Sequence, residues 1–321
     1  MIEPLCATSG TKWWELIEDM RVSEILKLGE RNQIDAFAMQ IDDVARADLE
    51  QLHALSISVG WPHRPQDWQF LRDVGKGVVA IDDIGRIMSS AMWFRQSPEL
   101  ATIGMVITSP RLQTHGTGLW LMEYALQDLD GIDLRLNATR AAQRLYLSLD
   151  FVPEKIVYQC QGIVTDAPVE QDFSGDLRVL GADDLAAVTA LDAAAFGVVR
   201  SGVIEKLMAH SRSYGLFHDG VLKAFALCRQ FGRGHVVGPI VASNDAEAIA
   251  VVSPHIRDHE GRFLRLDTHY ETGDFALFVQ RSGLTVYDTV LTMSRGKRLA
   301  DFATEGTRAP VTYSLASQTL G

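Results

Sequence analysis

GMVITSPRLQTHGTGLW, residues Gly104 to Trp120, is the stretch from which the rest of the chain is read. Gly104 to Thr108 is a short apolar run with β-branched residues, the profile of a strand covered on both faces. Pro110 ends it, because proline has no N–H to give to a ladder. Gln113-Thr114-His115-Gly116-Thr117-Gly118 comes next. Leu119-Trp120-Leu121-Met122 then opens an apolar pattern at helical spacing that continues through Tyr124, Ala125 and Leu129. Two glycines at a helix start let a ligand approach the backbone closely, where the first-turn N–H groups lack intrahelical partners and the dipole is positive. Such a site suits a phosphate or pyrophosphate. Ordinary strand-to-helix turns use glycine pairs as well, so the loop does not decide the matter alone. A Walker A loop needs Gly-Lys-Ser/Thr where Gly118-Leu119-Trp120 stands, and a dinucleotide fingerprint needs a third glycine near the start of a βαβ unit.

Leu134-Arg135-Leu136-Asn137-Ala138 reads as another strand. Ala141, Leu145, Tyr146 and Leu149 mark a short helix that ends at Asp150-Phe151-Val152-Pro153. Gln113-x-x-Gly116-x-Gly118 resembles the acetyl-CoA loop of the GNAT N-acetyltransferases, Gln/Arg-x-x-Gly-x-Gly/Ala. The strand ending in Asn, the helix carrying Leu-Tyr, three residues, a turn residue and Phe resemble that family's second signature. The family usually has glycine at the position of Asp150; Asp tolerates a left-handed turn better than most residues.

The resemblance implies an α/β fold with a mixed sheet, built as two tandem GNAT-like domains. Residues 1–33 are an N-terminal extension in which Trp13, Trp14, Leu16 and Ile17 suggest an amphipathic helix. Residues 34–164 form the catalytic domain, in the order β-α-α-β-β-β-α-β-α-β. Residues 165–175, polar with Pro and Gly, form a linker. Residues 176–299 repeat the pattern: Phe263-Leu264-Arg265-Leu266-Asp267 parallels Leu134 to Asn137, and Phe278-Val279 with Gly283-Leu284 parallels Leu145-Tyr146 with Asp150-Phe151. This second half is degenerate, because Ser243-Asn244-Asp245-Ala246-Glu247 replaces the glycine pair and Val279 replaces the tyrosine. Acids at a helix N-terminus stabilise the helix and repel a pyrophosphate. Residues 300–321 are a tail expected to dock across the second domain.

By the same resemblance, acetyl-CoA is the co-substrate and a small-molecule primary amine, or a protein N-terminus or lysine, is the acceptor. The backbone of Val106, Ile107 and Thr108 would hold the pantetheine arm, near a β-bulge that splays the strands. The N–H groups from Thr114 through His115, Gly116, Thr117 and Gly118 to Leu119, with Gln113, would hold the pyrophosphate. Asn137 would contact the cofactor or its water, and Tyr146 would act as general acid. The base stays open among Glu99, just before the central strand, a water chain, and His63. Trp61, His63 and Trp68 are candidate acceptor contacts, although both tryptophans also suit a core. The segment Asp267-Thr268-His269-Tyr270-Glu271 is a candidate cationic-acceptor surface. A non-catalytic module sensing acetyl-CoA or a metabolite is the competing reading.

Composition narrows the field. A net charge of −11 across 321 residues argues against a nucleic-acid surface. Cys6, Cys160 and Cys228 are isolated and no Cys/His cluster has zinc spacing, so no metal is expected. The sparse cysteines, and the lack of a leader or a ~20-residue apolar run, predict a cytoplasmic protein with no membrane partner, monomeric or homodimeric.

Overall fold

Short apolar runs with period-two alternation, separated by helical-period segments, give alternating strands and helices along the chain. The computed structural model describes residues 26–34, 37–165, 174–299 and 310–321. The helix expected around Trp13, most of the linker, Cys6 and the start of the tail lie outside the described residues. The strands of the first half are β1 (Arg31–Ile34), β2 (Phe37–Asp43), β3 (Lys76–Asp82), β4 (Ile87–Arg95), β5 (Leu100–Thr108), β6 (Asp133–Ala138) and β7 (Val152–Ile163). Its helices are α1 (Leu49–Ser58), α2 (Pro65–Val74), α3 (Thr117–Asp128) and α4 (Gln143–Ser148). The second half contributes β8 (Asp176–Val179), β9 (Ser211–His218), β10 (Val221–Phe231), β11 (Gly234–Ala242), β12 (Phe263–Thr268) and β13 (Thr285–Arg295). Its helices are α5 (Leu185–Phe196), α6 (Ser201–Ala209), α7 (Asp245–Asp258) and α8 (Asp274–Arg281), and β14 (Val311–Ser314) follows.

All strands belong to one sheet in the order β1-β2-β3-β4-β5-β6-β13-β7-β12-β11-β10-β9-β8, with β14 paired to β11. The halves exchange their closing strands. β13 pairs antiparallel with β6, from Leu291↔Ala138 to Arg295↔Leu134. β7 pairs with β12, from Phe263↔Ile163 to Thr268↔Tyr158, and also with β13. Parting the halves therefore means breaking backbone ladders rather than undocking a surface. Residues 31–34, at the end of the expected extension, form the edge strand β1 against β2.

Three large apolar clusters fill the layers. One lies under α3 and α4, with Trp120, Leu121, Met122 and Tyr146. Another lies under α7 and α8, with Val251, Ile256, Phe275 and Val279. The third belongs to both halves: Leu52, Leu55, Trp68 and Leu71 from α1 and α2 pack with Val188, Val203, Ile204 and Leu207 from α5 and α6, and the tail adds Ala316 and Leu320. Trp68 is fully buried here and its Nε1 donates to Ser56 Oγ at 2.9 Å. A buried ion pair fixes the end of the tail. Arg200 donates to both carboxylate oxygens of Asp192 at 2.7 and 2.9 Å, and its Nη1 reaches the carbonyls of Leu320 and Gly321. Each lone pair and N–H so satisfied offsets part of the cost of burying the charges.

Candidate active site

The central strand β5 changes partners halfway along. Its parallel ladder with β6 runs from Leu100↔Asp133 to Ile103↔Leu136 and stops there. Against β4 the register shifts between Ser90↔Ile107 and Met92↔Gly104, so Met105 and Val106 together oppose Ala91. This is a β-bulge, and Met105 takes a left-handed φ of 51° in it. The Ser89 and Ser90 hydroxyls donate to the carbonyls of Ile107 and Met105, each at 2.7 Å, holding the bulge on its β4 side. From Gly104 to Thr108, β5 has no ladder to β6, and the sheet opens as a V.

Beyond β5 the chain turns through Pro110, and Leu112 N donates to Ser109 O. Thr114 has φ 72°, and Gly116 has φ 89° as the N-cap of α3. That conformation, with open space around the site of a Cβ, is why glycine stands at position 116. No side chain caps α3, so its first-turn N–H groups face outward uncapped. Thr117, fully buried, has a hydroxyl without a hydrogen-bond partner. Gln113 Nε2 bonds to Thr108 O at 3.3 Å, and Gln113, Thr114, His115, Gly116 and Leu119 are exposed around the helix start.

A cavity of about 290 Å³ lies beside the V, lined by Met105, Val106, Asn137, Tyr146, Trp61 and His63 among others. Tyr146 sits on α4, packed against Phe151 with ring centroids 5.9 Å apart. The turn that seats it uses Asp150 at φ 64°, and Phe151 N donates to Tyr146 O at 3.0 Å. Burial pushes the phenol well above its ordinary pKa, so it stays protonated throughout the physiological range. His63 is shifted the other way. Burial, then the Arg265 guanidinium, hold its pKa down at about 4, and its Nδ1 has no hydrogen-bond partner.

Several sequence-derived candidates fall elsewhere. Glu99 stands at the opposite end of β5 from the bulge, is exposed, lies 3.7 Å from Lys297 Nζ and does not line the cavity, so it is not placed to be a base. Trp68 belongs to the core. The Asn137 amide is engaged at both ends within the chain: Nδ2 donates to Gln318 O at 2.7 Å, and Oδ1 accepts from Thr292 Oγ1 at 2.6 Å. The acids of the 267–271 segment are committed to neighbours, Asp267 to Arg265 and Glu271 to the Tyr158 hydroxyl at 2.7 Å. Tyr270 stacks on Tyr313, and His269 Nδ1 lies 2.9 Å from Ile156 O; neither lines the cavity.

Other residues complete the cavity without any motif to announce them. Gln159 and Gln161 come from β7, Arg265 from β12, Phe231 and Arg233 from the β10–β11 turn, and Ser317, Gln318 and Thr319 from the tail. A Cβ on Gly104 would meet Thr319 Cγ2 at 2.6 Å, so the tail lies directly on β5. The one available signal was the polar alternation Gln159-Cys160-Gln161, which places both glutamines on one face and buried Cys160 on the other.

The equivalent V in the second half is closed. β11 and β12 pair only at His235↔Leu264 and Val236↔Arg265, after which β14 lies against β11. Ser314 Oγ and Leu315 N both donate to Asp267 O, and Thr268 Oγ1 donates to Tyr313 O, so the inserted segment bonds to both sides. At α7, Asn244 Oδ1 accepts from Glu247 N and Glu247 Oε2 accepts from Ser243 N, a closed N-terminal cap.

A bulged strand thus leads into an uncapped, glycine-opened helix start beside a buried phenol. A family model, that of the acetyltransferase (GNAT) domain, matches residues 188–305, the half without the glycine loop. An uncharacterized N-acetyltransferase of Bacillus subtilis, YitH, is 26% identical over 200 residues, covering 60% of this chain and 70% of that protein. The structure of a putative acetyltransferase from Pyrococcus horikoshii superposes with a TM-score of 0.71 at 16% identity, over 91% of this chain and 98% of that one. A tandem GNAT protein from the clavulanic acid biosynthesis pathway superposes at 0.58 with 13% identity, over 81% and 99%. The second half matches the GNAT acetyltransferase domain, and the chain as a whole shares its fold with a tandem GNAT protein. Among the described residues no helix is long and apolar enough to cross a membrane.

Proposed function

We propose that the first half transfers an acetyl group from acetyl-CoA to the amine of a small molecule. One observation carries this reading: the unpaired stretch of β5 leads directly to the uncapped start of α3, with the Tyr146 phenol in the adjoining cavity. The residues fit an acyl-CoA. Backbone groups of Val106 to Thr108 offer strand-like hydrogen bonds, and the N–H groups around Gly116, where a Cβ would meet nothing within 4 Å, offer an anion cradle. When bound, acetyl-CoA supplies an activated acetyl group whose transfer leaves a thiolate in need of a proton. Tyr146 Oη holds that proton, because burial keeps the phenol neutral. Asn137, bonded to Gln318 O and to Thr292, positions the tail against the cavity rather than reaching for a ligand.

The test combines titration calorimetry with acetyl-CoA and thiol release over a panel of amines. One acetyl-CoA per chain and amine-dependent thiol release are expected. Tight binding without thiol release from any amine would favour a sensing module instead.

A further inference from the structure

The acceptor end of the cavity carries an unexpected charge for a protein of net charge −11. Arg265 lines it, as does Arg233, which is exposed and forms no hydrogen bond or ion pair among the described residues. A second cavity of about 280 Å³ shares His63, Phe231, Ser317 and Thr319 with the first and adds Arg64 and Arg229. Arg229 is buried between the rings of Phe70 and Phe231, 5.3 and 5.1 Å from their centroids. Its Nη2 donates to Ala316 O, and its Nε has no hydrogen-bond partner.

Two of the three carboxylates nearby are already paired with arginines. Asp67 takes three bonds from Arg64 and one from Gly232 N. Asp267 is held by Arg265 and by Gln318 Nε2. Asp288, exposed at the rim, accepts from Thr289 N. Four guanidiniums thus face three carboxylates, and Arg229 and Arg233 have none of their own.

Resting on the acetyltransferase reading above, we infer that the acceptor is a small amine that also bears a carboxylate, as an amino acid does. Its anionic end lies on Arg233 and Arg265, with Arg229 behind them, and its amine points toward Tyr146. Three arguments converge on this. Guanidinium forks match a carboxylate in geometry and charge. A cavity near 300 Å³ admits a small molecule rather than a folded protein surface. Cationic surroundings also disfavour an ammonium, so the same arginines lower the pKa of the bound amine toward its nucleophilic free base. The bound ammonium gives one proton to solvent, the free amine attacks the thioester carbonyl to form the N–C bond, and the C–S bond breaks with the thiolate taking up the Tyr146 proton; the second proton leaving the nitrogen restores the phenol through solvent. A strong side-chain base is then not required. His63, held down mainly by burial, has Arg265 and Arg229 against its protonation and Asp67 in favour of it.

Thiol release by the full chain, with matched amino acids and their carboxamides as acceptors, tests the inference. The free carboxylates should exceed their carboxamides in kcat/KM by about tenfold or more, as expected for loss of a charge-assisted hydrogen bond. Arg233→Gln should shrink that preference several-fold, acting through KM. The corresponding acid without an amine should inhibit competitively against the acceptor, and more weakly in Arg233→Gln. Carboxamides or diamines that match or outperform the free carboxylates overturn the inference while leaving the acetyltransferase reading intact. A preference unchanged in Arg233→Gln overturns the assignment of the anion to this end of the cavity. If no amine releases thiol, the parent reading falls and this one with it.

Discussion

The two halves open the same V in their sheets and treat it in opposite ways. In the first, β5 leaves β6 after Ile103 and Gly104 to Thr108 stay unpaired on that side. In the second, β11 leaves β12 after Val236 and the chain's own β14 occupies the gap, bonded to both walls. The helix starts differ in the same sense. α3 begins at a left-handed glycine with no capping side chain, whereas α7 begins at a closed cap of Asn244 and Glu247, with Asp245 accepting from the Tyr313 hydroxyl and from Phe275 N. An extended ligand with an anionic end needs an unpaired strand edge and free N–H groups together. One half keeps both, and the other satisfies both from within. The repeat has been divided into an open copy and a self-filled copy that shares its core and supplies cavity wall.

The largest effect is expected from charge at the open helix start. Gly116→Glu adds a side chain at φ 89° and a negative charge where an anion would sit, and it should abolish acetyl-CoA binding. Ala246→Glu, in the first turn of α7, should leave both affinity and the single-site stoichiometry as they are. Calorimetric titration of the two variants breaks the comparison if Gly116→Glu still binds one equivalent, or if wild-type protein binds two.

Tyr146→Phe comes next. It keeps the ring contact with Phe151 and removes only the proton donor, so kcat should fall by about 10²–10⁴-fold with little change in acetyl-CoA affinity. Val279, at the matching place in the second half, has no such group to lose, and Val279→Ala should act on stability alone. An unchanged kcat in Tyr146→Phe, measured where chemistry limits the rate, removes the phenol from the mechanism.

Each half also buries a histidine, His63 beside the open cavity and His255 on α7, both with pKa lowered to about 4, mainly by burial. The unfolded chain takes up those protons near 6.5 and the folded chain only near 4, so stability is complete above about pH 6.5 and is lost as the pH falls through that window. The loss is on the order of 3 kcal/mol per histidine at its acid end. His235, His259 and His269, also lowered by burial, add to the same window, and Glu123, raised by burial, opposes them. Urea midpoints at pH 7 and 4.5 measure the slope, and His63→Gln should make it shallower. A flat profile would show that neither histidine is held neutral.

Much of the open half was legible because its signals are local. Proline 110 stops a strand, glycine 116 takes a φ other residues avoid, and Asp150 turns the chain to place Phe151 under Tyr146. The exchange of β7 and β13 was not legible. Both read simply as strands, and periodicity says which face is buried, not which neighbour is paired. Glu99 misled by nearness in sequence, since a nine-residue strand carries its first and last residues to opposite ends. The arginines of the cavity come from separate strands, so no spacing linked them. The acids of 267–271 suggested a cationic site because their partners Arg265 and Tyr158 could not be seen.

The smallest predicted effect concerns what closes the second V. Tyr313 donates from its hydroxyl to Asp245 Oδ1 at 2.7 Å, and its ring stacks on Tyr270 with centroids 4.5 Å apart. Burial and that carboxylate both push the phenol pKa up, so it donates at any ordinary pH. Tyr313→Phe keeps the stacking and removes one hydrogen bond to a charged acceptor. Asp245 retains its bond from Phe275 N. The cost should be about 1–2 kcal/mol in unfolding free energy, read from the urea midpoint at constant slope. Affinity for acetyl-CoA in the first half should not move, because β14 bonds to β11 and β12 and not to β5. The stoichiometry decides what kind of closure this is. If β14 is an integral strand, the variant still binds one acetyl-CoA. A second equivalent in Tyr313→Phe would mean that β14 only competes for a site the second half has kept, and the division between the two copies would then be one of occupancy rather than of structure.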